Sequence, residues 1–147
     1  MARTKLDLPS DFQFSTEIPI RITDINYGGH LGNDSLLSLL QEARLRFLQE
    51  HAYSEKDVEG SGIIMLDAVV LYKSEAFYGD TMRIEVAVTE VTAFGCDLLY
   101  RVSQKASGKE VARAKTSIAF FDYAKRKVVE VPDGFRSKFS SERAIIS

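Results

Sequence analysis

One stretch of this chain has helical spacing, and the stretches around it alternate. Leu36, Leu39, Leu40, Ala43 and Phe47 recur at the separations that place apolar side chains on one face of a helix. Asn33, Asp34 or Ser35 can cap its start. Leu37, Leu45 and Leu48 fall outside that stripe, so the helix is read as enclosed on several sides. Before it, Ile18, Ile20 and Ile22 share one face of a strand, with Pro19 marking an edge. After it, Met82 to Val88, Cys96 to Val102 and Ala112 to Phe120 alternate with period two. One long helix with this many strands has only one way to bury its faces. A single curved antiparallel sheet of five to six strands must cover it, which is an α+β arrangement.

Turn residues punctuate the same pattern. Tyr78-Gly79-Asp80, Phe94-Gly95 and Ser107-Gly108-Lys109 separate successive strands, as antiparallel neighbours require. Ile63–Tyr72 is apolar on both faces, which suits a strand covered on two sides or lying between subunits. A short helix over Glu55–Glu59, capped by Ser54, and a final strand over Lys127–Val131 complete the prediction. The tail from Ser137 onward is polar and expected to fray.

Composition narrows the function classes. The chain has 147 residues, an ordinary length for one domain, so 1–147 is read as one unit. Its formal net charge of -2 gives no general attraction to nucleic acid or anionic membrane. One cysteine, Cys96, and two distant histidines, His30 and His51, form no metal-ligand spacing. The start of the chain has no apolar leader, and no apolar run is long enough to span a bilayer. A reduced, cytoplasmic setting is the resulting expectation.

The stretch from Thr23 to Asp34 carries the chemistry. Gly28, Gly29 and Gly32 fall within five residues, among Asp24, Asn26, His30, Asn33 and Asp34. The glycines permit positive φ and close approach of a ligand. The loop feeds a helix start, whose free N–H groups and positive dipole end can hold an anion or polarise a carbonyl. His30 is the natural base, since imidazole exchanges a proton near neutral pH. Tight strand-to-helix connections use the same residue types for turning and capping, so both readings stand at this point. Glu42 is either a base reaching the cleft or the partner of Arg46, four residues on. Asp67, the one acid in an apolar strand, needs a partner, a cleft or an exposed position. Lys73, Arg83, Arg101, Arg113 and Lys115 are read on outward strand faces, each either simply solvated or placed to meet a phosphate if the ligand carries one.

The run Asp24-Ile25-Asn26-Tyr27-Gly28-Gly29-His30-Leu31-Gly32-Asn33, followed by Leu36 to Arg46 with Glu42-Ala43-Arg44, resembles hotdog-fold acyl-CoA thioesterases of the 4-hydroxybenzoyl-CoA thioesterase type. Tyr72–Asp80 and Ala112–Asp122 resemble the same family's strand-and-turn and closing strand. The resemblance implies a hotdog: a long central helix wrapped by the sheet, dimerising through paired strands. It implies hydrolysis of an acyl-CoA thioester to free acid and CoA, at a site between subunits. The partners are then acyl-CoA or an acylated carrier, in a homodimer or a dimer of dimers. No cofactor is implied, the CoA thioester being the substrate. The position of the family's usual carboxylate is Asn26 here, and a neutral amide cannot serve as base or nucleophile. Asn26, His30 and Glu42 are therefore the candidate catalytic residues. Tyr27, Gly28, Gly29, Leu31, Gly32 and Asn33 are the candidate substrate contacts, and no metal ligand is assigned. A non-catalytic hotdog that binds acyl-CoA or an acyl carrier, and a hotdog hydratase or dehydratase, are the alternatives.

Overall fold

The computed structural model describes residues 4–140. Strand β1 (Phe14–Pro19) leads through a 3-10 turn, Ile22–Asp24, to helix α1 (Asn33–Glu50). Strands β2 (Gly62–Tyr72), β3 (Thr81–Thr89), β4 (Gly95–Gln104), β5 (Glu110–Asp122) and β6 (Lys127–Val128) follow, then helix α2 (Asp133–Phe139). The strands form one antiparallel sheet in the order β1-β3-β4-β5-β2, with β6 on β5. This is the α+β arrangement expected of a hotdog.

The helix stripe and the inward strand faces make the core. Leu36, Leu39, Leu40, Ala43 and Phe47 are all buried against Met82, Ile84, Val86, Leu98, Val102 and Phe120. Leu48 is buried too, whereas Leu37 is exposed, so the helix is enclosed on all but its outer flank. Burying a Leu or Phe contributes roughly 1.5–3 kcal/mol, so this stripe anchors the fold. Arg44 is buried beside it, its Nε donating to Glu55 at 2.8 Å. Cys96 is a core residue, its thiol pushed up to about 12 by burial and then by Asp97. Among the described residues, no helix is long and apolar enough to cross a membrane.

Several local predictions give way to hydrogen bonding. Ile22 does not continue the face of Ile18 and Ile20. The Arg21 amide donates to Asp24 Oδ2 at 2.8 Å, which turns the chain, buries Asp24 and leaves Ile22 exposed. Helix α1 is capped by Gly32 rather than by Asn33, Asp34 or Ser35, and no side chain caps it. Glu55–Glu59 is not helical. Ser54 and Asp57 exchange backbone hydrogen bonds, Ser54 Oγ accepts from the Asp57 amide, and Val58 bridges Ser61. Strand β6 stops at Val128, because the Val129 and Val131 amides turn to the Phe120 and Ala93 carbonyls. The segment after Pro132 is a helix that buries Phe135 and Phe139, so fraying does not begin at Ser137. The rest of that tail lies outside the described residues.

The two sheet edges differ. Strand β1 is an edge, as Pro19 implied. Strand β2 is the other, paired only with β5, and Met65, Leu66, Asp67 and Ala68 along it are exposed, so within one chain its two faces are not both covered. A bulge between Met65 and Asp67 leaves Met65 47% and Leu66 62% exposed. Asp67 pairs with Lys115 at 2.9 Å, and the hydrogen bond from Lys115 holds its carboxyl below the usual value. On the outer face, Arg113 donates to the Leu6 carbonyl at 3.1 Å and Arg101 sits over the Phe12 ring, 5.3 Å from its centroid. The N-terminal segment thus runs across that face.

Candidate active site

The glycine-rich loop is held by its own backbone and one side chain. Ile25 bridges Leu31, the Asn26 amide donates to the His30 carbonyl at 2.9 Å, and the Gly29 amide donates to the Asn26 carbonyl at 3.0 Å. Asn26 Oδ1 accepts from the Gly28 amide at 2.9 Å and from the His30 amide at 3.4 Å. An Asx side chain mimicking a backbone turn is why asparagine suits this position. Gly29 has φ +85°, a conformation that costs a residue with a Cβ. A Cβ at position 28 would press on Asn26 Oδ1 at 3.3 Å, the atom that braces the loop.

The loop docks onto the turn that follows β2. The Leu31 amide donates to the Ala76 carbonyl at 2.7 Å. Tyr72 Oη donates to the Asn33 carbonyl at 3.2 Å. Burial, and then the Asp34 carboxylate, push the Tyr72 phenol up, which keeps it a donor. Lys73 and Ser74 are fixed in turn through the Val111 carbonyl, and Ser74 Oγ donates to the Glu110 carbonyl at 2.8 Å.

Between loop and turn lies a cleft of about 280 Å³ at the N-terminus of α1. His30 stands in its wall. Its Nδ1 is 3.4 Å from the Leu31 carbonyl oxygen, and its Nε2 is 3.8 Å from Glu75 Oε1. The tautomer that donates from Nδ1 leaves the Nε2 lone pair to accept a proton, which is the form a general base needs. Helix-start N–H groups at the mouth can stabilise developing negative charge.

The predicted residues divide into three groups. His30, Leu31, Gly32 and Asn33 line the cleft. Asn26, Gly28 and Gly29 build the loop behind it, and Tyr27 stands fully exposed at the loop tip. Glu42 is elsewhere. Its carboxylate takes Arg46 Nε at 2.9 Å, and Arg46 also holds Thr16 Oγ1 and the Glu17 carbonyl. Nine residues of helix put Glu42 about 14 Å along the axis from Asn33. It braces α1 against β1 and does not join the cleft of its own chain.

Lys73 lies past the end of β2 and lines the cleft, not an outward strand face. Arg101 and Arg113 share Glu110 on the outer face, at 3.3 and 3.0 Å. Sequence reading missed Glu75, although it falls within the Tyr72–Asp80 run that carries part of the family resemblance. Among the described residues, no group of three or more His, Cys, Asp or Glu side chains is placed to hold a metal ion.

Known proteins agree with this architecture. The family model described as the thioesterase-like superfamily matches residues 20–139. Among solved structures, a 1,4-dihydroxy-2-naphthoyl-CoA thioesterase from Synechocystis is similar, with TM-score 0.77 and 21% identity, over 84% of this chain and 93% of that one. A DHNA-CoA thioesterase from Staphylococcus aureus has TM-score 0.78 and 18% identity, over 90% and 91%. A gentisyl-coenzyme A thioesterase has TM-score 0.74 and 17% identity, over 84% and 99%. At these identities the structural likeness concerns the fold. No curated protein sequence matches this chain.

Proposed function

Because this chain belongs to the thioesterase-like superfamily, we propose that it hydrolyses an acyl-CoA thioester to the free acid and CoA. The observation that carries this reading is the position of His30. Its imidazole lines a cleft at the start of α1, on a loop rigid enough to hold it. His30 Nε2 takes a proton from the attacking water, and the helix-start N–H groups from Asn33 onward stabilise the oxyanion, since the Gly29, His30, Leu31 and Gly32 amides already donate within the protein. Asn26 serves by bracing the loop, since its Oδ1 accepts the Gly28 and His30 amides. The free-thiol release assay should use a panel that includes aromatic acyl groups, because the similar structures include dihydroxynaphthoyl- and gentisyl-CoA thioesterases. No release above background from any member ends the hydrolase reading. Full activity in His30→Ala ends this mechanism alone.

The working unit in this reading is a homodimer, or a pair of dimers, with the cleft completed at the subunit interface. The open β2 edge, with exposed Met65 and Leu66, supports it, as does fully exposed Tyr27 at the loop tip. Sedimentation should give at least a dimer, and a fully active monomer contradicts it. Cytoplasmic location remains part of the proposal.

The second reading is a non-catalytic protein that binds acyl-CoA or an acylated carrier. Asn26, standing where the family resemblance leads one to expect an acid, favours it. Calorimetry showing tight acyl-CoA binding without turnover supports this alternative.

A further inference from the structure

We infer that Glu75 acts through His30, as the carboxylate facing Nε2 that offsets the charge of the imidazole during turnover, while the Leu31 carbonyl orients the ring. The inference rests on the hydrolase reading above. Three observations on the cleft support it. First, Glu75 Oε1 is 3.8 Å from His30 Nε2, and both side chains line the same cleft. Second, the backbone fixes the pairing. The Leu31 amide donates to the Ala76 carbonyl at 2.7 Å, which sets Glu75 beside His30. Third, the Glu75 backbone is held from both sides. Ser74 is tied to β5 through the Val111 and Glu110 carbonyls. After Ala76, the Phe77 amide donates to Asp80 Oδ2 at 2.9 Å and closes the turn. Among the described residues His30 is the one ion-pair partner of Glu75.

The chemistry needs such a group. As the water oxygen bonds to the thioester carbonyl carbon, its proton passes to Nε2 and the ring becomes a cation. When the C–S bond breaks, the electron pair leaves with sulfur, and the proton on Nε2 passes to the thiolate. The products are acid and CoA thiol, and Glu75 exchanges no proton in either step. A carboxylate beside Nε2 stabilises the imidazolium that exists only between those steps. That is differential stabilisation of the transition state and lowers the barrier to kcat without tightening the ground state. At 3.8 Å and with the Glu75 side chain 65% exposed, solvent screens the attraction, so the effect is moderate.

Glu75→Gln should lower kcat about 10-fold with KM and melting temperature unchanged. Glu75→Asp should retain more activity than Glu75→Gln. Formate should restore part of kcat to Glu75→Ala and none to Glu75→Gln, whose side chain fills the space. In a His30→Ala background, Glu75→Gln should have no further effect, because the two act as one unit. A Glu75→Gln enzyme within twofold of wild-type kcat overturns the role of Glu75 while leaving hydrolysis standing. So does an undiminished loss in the His30→Ala background. A wild-type protein that releases no thiol overturns the hydrolase reading itself, and the role of Glu75 with it.

Discussion

Arg44 reaches Tyr100 Oη at 3.3 Å from inside the core, while its Nε donates to Glu55 at 2.8 Å. The helix is thereby tied to β4 and to the turn after α1. Removing one partner of a buried pair is costlier than replacing the charge, because the remaining ion stays desolvated. Glu55→Ala should therefore destabilise by about 2 kcal/mol, reduced from a fully buried case because Glu55 is partly exposed. Arg44→Met should cost less, since Tyr100 keeps Thr116 Oγ1 at 2.8 Å. Urea unfolding of both variants checks the order, and the reverse order contradicts the account.

Asn26 tests whether the loop needs a brace or a base. Asn26→Ala deprives the Gly28 and His30 amides of their acceptor, so kcat should fall about 10-fold through misplacement of His30. Asn26→Asp can accept the same two hydrogen bonds, more strongly for being charged, so activity should stay within about threefold. A large gain in Asn26→Asp favours the binding protein over the hydrolase.

Gly95 sits where β4 meets β5 most closely. A Cβ there would collide with the Ile118 carbonyl oxygen and crowd Ala119 Cα, both backbone atoms that cannot step aside. Gly95→Ala should destabilise by about 2 kcal/mol or more, a typical cost of overpacking. An unchanged urea midpoint would falsify the close approach.

His51 gives the fold a pH dependence. Burial against Phe47, Tyr53 and Phe139, and then the charge of Lys138, hold its pKa below the usual 6.5, with Glu50 opposing. As pH falls through about 6.5, the unfolded chain protonates first, so stability present above that value is lost toward the lower folded pKa. Below the folded value the loss levels off. His51→Phe should flatten this window in melting temperature against pH. Parallel curves for both proteins would remove the assignment to His51.

What could be read from the sequence follows from where the constraint lies. Five residues at helical spacing were enough for α1, and alternation was enough for β3, β4 and β5, because each element buries one continuous face. Helix α2 offered only Phe135 and Phe139 as apolar positions inside seven residues, too short a pattern for a period. Ser54 serves a cap and a turn equally well, and the choice was made by Asp57 and Ser61. The loop's candidate base was visible as His30 among glycines. Glu75 was not, because it reaches His30 only once the turn after β2 is folded beside the loop. Helix spacing already offered Arg46, four residues on, as the partner of Glu42, and β1 adds to that reading by sharing the arginine.

The inequality of the sheet edges limits how copies of this chain can join. Strand β1 spans six residues and ends at Pro19, which offers no N–H for a further strand. Strand β2 spans eleven, with a bulge that twists it near the middle. Only one side of the sheet is thus a good place for another strand to add. A unit with one open side can join a second copy by that side and is then closed. In the proposed dimer, edge-to-edge growth would end at two chains, which would protect a long exposed strand from templating a fibre.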